Sequence, residues 1–117
     1  MAKHPALISM RRIVLFTKDM PGMAAFYRDV LGLRLLKDEA GWKEFDADGC
    51  VIALHNGTSE VGRRPPKIGF WSADVAAARN ALIASGAKMS KLMSGQGLSR
   101  CERKDPDGNP FSISDRP

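Results

Sequence analysis

The chain of 117 residues contains few of the residues from which many reactive sites are built. Its two cysteines, Cys50 and Cys101, have no CxxC spacing, so neither a disulfide framework nor a zinc-binding cysteine cluster is expected. His4 and His55 are the only histidines, and the sequence supports no Ser-His-Asp or Cys-His arrangement around them. The single tyrosine, Tyr27, falls on an apolar helical stripe, which argues against a catalytic role.

Long apolar runs are also missing from the sequence. No segment approaches the roughly 20 apolar residues that a transmembrane helix needs. The first ten residues lack the apolar core that is typical of a signal peptide. We therefore expect no membrane partner and a cytoplasmic location.

The net charge of +5 raises the question of nucleic acid, because basic patches are the usual electrostatic footprint of such binding. The basic residues, however, are spread along the whole chain, and only the short segment 63–67 is dense in them. No DNA- or RNA-binding motif is visible. The sequence thus favours a solvated basic surface or a small anionic ligand, and predicts no nucleic-acid partner.

The most informative feature that is present is an internal repeat. Residues 12–19 (RIVLFTKD) reappear as residues 67–74 (KIGFWSAD), at an offset of 67 − 12 = 55. The segment 46–49 (DADG) reappears as 105–108 (DPDG), at an offset of 105 − 46 = 59. A repeat of this length indicates two copies of one supersecondary unit, so equivalent positions in both copies are candidates for a shared site.

Each copy is predicted to have the order βαβββ, because alternating segments flank one helical stripe and end at Gly-containing turns. Helices are predicted over 21–31 and 74–85, with Asp19 and Asp74 as N-caps and Gly32 and Gly86 as C-terminal caps. The predicted strands cover 12–18, 33–36, 42–46, 50–55, 67–72, 87–93, 98–104 and 111–114. A loose N-terminal extension (1–10) then precedes a single domain (11–117), made of module one (11–57), a linker (58–66) and module two (67–117).

Two further motifs connect this pattern to a known family. The segments 26–33 (FYRDVLGL) and 105–109 (DPDGN), together with the paired strand starts that end at Asp19 and Asp74, resemble the vicinal oxygen chelate superfamily. This group includes glyoxalase I, the bleomycin and fosfomycin resistance proteins and the extradiol dioxygenases. The resemblance implies an α+β fold in which two βαβββ modules form a curled mixed β-sheet cup with helices packed outside. It also implies a site inside the cup and a homodimer; the linker allows the cup to close within one chain or across a dimer.

In metal-dependent members of the superfamily, four His, Glu or Gln side chains in the cup hold a divalent ion. The resemblance places these positions at Arg12, Ala53, Lys67 and Ser112. Arginine has no lone pair to donate, lysine must first lose its proton, alanine has no donor and serine alone is a poor ligand. The sequence therefore predicts no metal cofactor and argues against the usual lyase, transferase and dioxygenase chemistry.

Strand alternation suggests what the cup holds instead of a metal. Arg12 and Phe16 share one face of the first strand, and Lys67 and Trp71 share the equivalent face in module two. Arginine pairs well with carboxylate and phosphate groups, and aromatic side chains commonly line small-molecule pockets. We expect metal-free binding of a small anionic or aromatic-anionic molecule. The predicted ligand-binding residues are Arg12, Phe16, His55, Lys67, Trp71 and Ser112; no catalytic residue is assigned.

Four alternatives stay open on the sequence alone. The chain could be an enzyme that works without a metal, with Arg12 or Lys67 polarising a carbonyl group of the substrate. A shifted metal site around His55, with Glu44 and Asp46, would support a divalent-metal-dependent lyase or dioxygenase. Arg12 and Lys67 could instead pair with Glu44, Asp46 or Glu102 as ordinary ion pairs. The chain could also be an interaction module without pocket chemistry.

Overall fold

A computed structural model describes Leu7 and residues 9–58 and 60–117, so most of the predicted N-terminal extension (1–10) lies outside the described residues. Module one contains β1 (Arg12–Thr17), α1 (Met20–Ala25), a π-helical turn (Phe26–Val30), β2 (Arg34–Glu39), β3 (Trp42–Asp46) and β4 (Val51–Asn56). Module two contains β5 (Ile68–Trp71), α2 (Val75–Ala84), β6 (Met93–Gly95), β7 (Leu98–Lys104) and β8 (Pro110–Ser114). In the described part of the chain, no helix is long and apolar enough to cross a membrane.

The strands form two separate four-stranded sheets. Sheet one has the order β1-β4-β3-β2, and sheet two has the equivalent order β5-β8-β7-β6. In each sheet the first strand of the module runs parallel to the last, and the other neighbours are antiparallel. The predicted α+β architecture of two βαβββ modules with unclosed mixed sheets is therefore confirmed.

The helix caps that were predicted from the repeat are present in both modules. The side chain of Asp19 accepts a hydrogen bond from the Gly22 amide at 3.1 Å, and that of Asp74 accepts from the Ala77 amide at 3.0 Å. Gly32 follows the first helical segment with φ +75°, a conformation that most other residues avoid. These local signals fix where each helix begins and ends.

Two elements differ from the prediction. The second half of the first helix is a π-helical turn, which the apolar spacing did not indicate. The strand predicted over 87–93 is mostly absent, and β6 begins only at Met93. The carbonyl of Ser90, in this segment, accepts a hydrogen bond from the Arg79 guanidinium of α2 at 2.7 Å, and the Glu102 amide of β7 donates to the Ser90 hydroxyl instead of to a backbone carbonyl, so the segment forms no regular ladder there.

The π-helical turn joins the two sheets into one core. The ring of Tyr27 lies 6.1 Å from that of Phe45 in sheet one, and the ring of Phe26 lies 5.9 Å from that of Phe111 in sheet two. Tyr27 also donates its hydroxyl proton to the buried carboxylate of Asp105 at 2.7 Å. Each sheet thus has a helix-packed face that contacts this turn and an opposite face, which we call the open face.

Candidate functional site

The four positions that would hold a metal in the family pattern lie as two pairs, one in each sheet. In sheet one, Ala53 is fully buried on β4 beside β1, the strand that Arg12 begins. In sheet two, Ser112 pairs with Gly69 of β5, and Lys67 directly precedes that strand. Arg12, Ala53 and Ser112 thus lie on the strands that the sequence predicted, Lys67 lies one residue before its predicted strand, and none of the four is a good metal ligand.

Lys67 is engaged in an ion pair. Its ammonium group donates to the Glu102 carboxylate at 2.8 Å. Glu102 on β7 is the cross-strand partner of Ser112 on β8. The ion pair therefore crosses β8 next to Ser112, one of the four family ligand positions. The hydrogen bond from Lys67 lowers the pKa of Glu102 below its ordinary value. One of the pairings left open by the sequence is thus present, and half of the charge predicted for the cup is neutralised internally.

Arg12 lies on the open face of sheet one. It is exposed and forms no ion pair with any residue that the structure describes. Neither Glu44 nor Asp46 is its partner: Trp42 donates to Glu44, and Arg34 pairs with Asp46. Its guanidinium is therefore available to a ligand or to another molecule.

An aromatic row crosses the open face of sheet one. His55 is the register partner of both Phe16 on β1 and Trp42 on β3, and its ring lies 5.3 Å and 5.6 Å from theirs. The indole N–H of Trp42 donates to the Glu44 carboxylate at 2.7 Å. The structure thus brings together the predicted residues Phe16 and His55, and adds Trp42, whose orientation the sequence did not settle.

The described residues provide no set of ligands for the alternative metal site around His55. No cluster of three His, Cys, Asp or Glu side chains that could hold a metal occurs among residues 7, 9–58 and 60–117. Asp46 lies four residues beyond Trp42, the register partner of His55, which is roughly 13 Å along β3. Its carboxylate accepts hydrogen bonds from the Asp48 amide and from Arg34. Both hydrogen bonds lower the pKa of Asp46, and the bond from the Asp48 amide has the larger effect. His55 Nδ1 itself lies 2.6 Å from the Asn56 carbonyl oxygen.

A groove of about 650 Å³ runs along the open face of sheet two. It contains the predicted residues Lys67 and Ser112, and it adds Arg100, Ser114 and Arg116, which sequence reasoning missed. Strand alternation could have found them, because Arg100 lies two residues before Glu102, and Ser114 and Arg116 follow Ser112 at intervals of two. The lining includes three basic side chains and no acidic one.

The two open faces meet at a groove of about 720 Å³, which Val14 and Phe16 of β1 line together with Lys67. All described residues that line the sheet-two groove belong to module two. Phe16 on sheet one is 50% exposed, and Trp71 on β5 is 64% exposed. Trp71 borders a separate apolar groove of about 310 Å³, next to Leu31, Leu33 and α2, rather than the basic groove. The structure thus brings the predicted residues Phe16 and Lys67 to one groove, and leaves Trp71, Trp42 and His55 outside the basic groove of sheet two.

Comparison with known proteins identifies the origin of this architecture. Residues 9–113 match the model of the Glyoxalase/Bleomycin resistance protein/Dioxygenase superfamily. The chain belongs to this superfamily. The resemblance on which the sequence analysis relied is therefore confirmed, and the superfamily explains the paired modules.

Several solved structures share the fold at low sequence identity. A glyoxalase/bleomycin resistance protein/dioxygenase from Nocardioides is similar with a TM-score of 0.80 and 17% identity, over 95% of this chain and 85% of that one. A lactoylglutathione lyase from Agrobacterium tumefaciens has a TM-score of 0.73 and 19% identity, over 95% of each chain. An integron cassette protein from the mobile metagenome of V. cholerae has a TM-score of 0.70 and 22% identity, over 96% and 98%. No curated protein sequence matches the chain significantly.

Proposed function

We propose that this superfamily member binds a small anionic or aromatic-anionic molecule without a metal ion. The observation that carries the proposal is the groove on sheet two, where Lys67, Arg100 and Arg116 stand without an acidic residue in the lining. Ser112 and Ser114 add hydroxyl groups that can donate to an anion. The residues at the four family ligand positions support metal-free binding, because Arg12 and Lys67 supply positive charge, Ala53 has no donor and Ser112 alone is a poor metal ligand.

We also propose that the working unit is a homodimer. One chain presents an aromatic open face with Phe16, Trp42 and His55 on sheet one, and a basic open face with Arg100 and Arg116 on sheet two. A second copy could set its basic face against the aromatic face of the first, which would give a closed site both an apolar wall and counter-charges. Two-fold pairing is the commonest symmetry of oligomers and would form two such sites at once. Under this proposal Arg12 contributes to the same site.

The proposal is tested by calorimetric titration of benzoate, a simple aromatic anion, into protein treated with a chelator. We expect benzoate to bind, and Lys67→Gln to bind it more weakly. Glu102→Gln should bind it more tightly, by a factor of about two to five, because Lys67 is released from a partly exposed ion pair.

Glu39→Gln is the matched control for Glu102→Gln. It also frees a lysine from an ion pair, that of Lys37 with Glu39 (3.8 Å), but on sheet one, so the affinity for benzoate should not change. Absence of benzoate binding to the chelated protein would refute the proposal, as would equal affinities of the Lys67 and Glu102 variants.

A further inference from the structure

Arg100 and Arg116 are neighbours on the open face of sheet two. Arg100 of β7 is the register partner of Ser114 of β8, and Arg116 follows Ser114 by two residues. The pairing with β7 continues past the end of β8, because the Asp115 amide donates to the Ser99 carbonyl at 3.3 Å. Diagonal neighbours in such a ladder are about 7–8 Å apart, within reach of long side chains. Both arginines line the basic groove.

The nearby carboxylates are already engaged elsewhere. Glu102, two residues from Arg100 on the same strand, accepts from Lys67 at 2.8 Å. Asp115, next to Arg116, accepts from the Ser99 amide at 2.8 Å. Neither Arg100 nor Arg116 forms an ion pair with any residue that the structure describes. Two like charges at this spacing repel each other unless an anion lies between them.

We infer that Arg100 and Arg116 form a clamp for one dianionic group of the ligand, such as a phosphomonoester or a dicarboxylate. Each guanidinium is planar and can donate two parallel hydrogen bonds to two oxygens of such a group. Two guanidinium groups together balance a double negative charge, which one alone does not. Ser114 is placed between them, with its Oγ accepting from the Arg116 amide at 3.3 Å, so its hydroxyl proton is free for an anion oxygen. This inference rests on the proposed function and specifies its ligand class.

The experiment compares phenyl phosphate, malonate and benzoate by calorimetric titration into the full-length protein at constant ionic strength. The clamp predicts that a dianion binds more tightly than benzoate, and the better of phenyl phosphate and malonate identifies its chemistry. Arg100→Gln and Arg116→Gln should each weaken dianion binding by about tenfold, because each removes a charge-assisted hydrogen-bonding group. Arg100→Lys, which keeps the charge but loses the fork, should fall in between.

Arg103→Gln is the matched control. It removes the same charge from the same strand, but alternation places it on the other face, and it does not line the groove. It should bind the dianions as the unchanged protein does, and unfolding midpoints should confirm that all variants are folded. If benzoate binds and the Arg100 and Arg116 variants match the control, the clamp is refuted and the proposed function stands. If no anion binds the unchanged protein, both are refuted.

Discussion

At the scale of single residues, Tyr27 is the clearest case of a side chain whose environment decides its chemistry. Its ring is fully buried, and its hydroxyl donates to Asp105. Burial, and then the negative charge of Asp105, raise the pKa of Tyr27 far above its ordinary value. The side chain therefore stays neutral in the folded protein, which supports a structural rather than a catalytic role.

This environment predicts how stability depends on pH. In the unfolded chain Tyr27 loses its proton near its ordinary pKa of about 10, whereas the folded chain keeps it. The unfolded state then binds fewer protons, so the free energy of unfolding should fall as pH rises above about 10. Below that pH, Tyr27 should contribute no pH dependence to the free energy of unfolding. Because Tyr27 is the only tyrosine, the tyrosinate absorbance in an alkaline titration reports on this group alone. Tyrosinate that forms while circular dichroism still shows a folded chain would contradict the account.

At the scale of elements, the two equivalent turns have diverged in what they stabilise. The Asp105 carboxylate is buried and accepts from the amides of Asp107 and Asn109, from the Asn109 side chain and from Tyr27. Its counterpart Asp46 accepts from the Asp48 amide and Arg34 at the surface. The second turn thus ties module two to module one, and the first turn only closes a hairpin.

The repeat supplies a matched pair of substitutions for this difference. Asp105→Ala should lower the free energy of unfolding by about 3 kcal/mol, because it leaves a buried hydroxyl and amide without partners. Asp46→Ala should have a much smaller effect, because its bonds lie at the solvent-exposed surface. Chemical denaturation of both variants checks this expectation, and equal losses would show that the Asp105 network does not hold the modules together.

The same elements show what the sequence could predict. The caps at Asp19 and Asp74, the hairpin turns and the seven-residue β7 were accessible, because each depends on local residues. The π-helical turn and the early end of the predicted strand 87–93 were not, because they depend on contacts with distant elements such as Arg79 to Ser90. In the site, residue types and faces were readable from alternation. The partner of Lys67 was one of three candidates until the register placed Glu102 beside Ser112.

At the scale of the whole molecule, the open faces predict association. Phe16 is half exposed on a sheet face that carries Trp42 and His55, an arrangement that a partner would bury. Phe16→Ser should therefore shift the molecular mass measured by light scattering from dimer towards monomer. Ile83→Ser, which replaces a similarly exposed residue on α2, should not. A monomeric unchanged protein would contradict the proposed dimer.

The central claim, that this superfamily member works without a metal ion, is tested most directly by metal content. Protein purified without a histidine tag is incubated with Zn²⁺, Ni²⁺, Mn²⁺ and Fe²⁺, freed of unbound ions and analysed by mass spectrometry. The residues at Arg12, Ala53, Lys67 and Ser112 predict that far less than one equivalent of any metal is retained. Retention of close to one equivalent, lost in His55→Ala, would contradict the account and show that the site has shifted to His55.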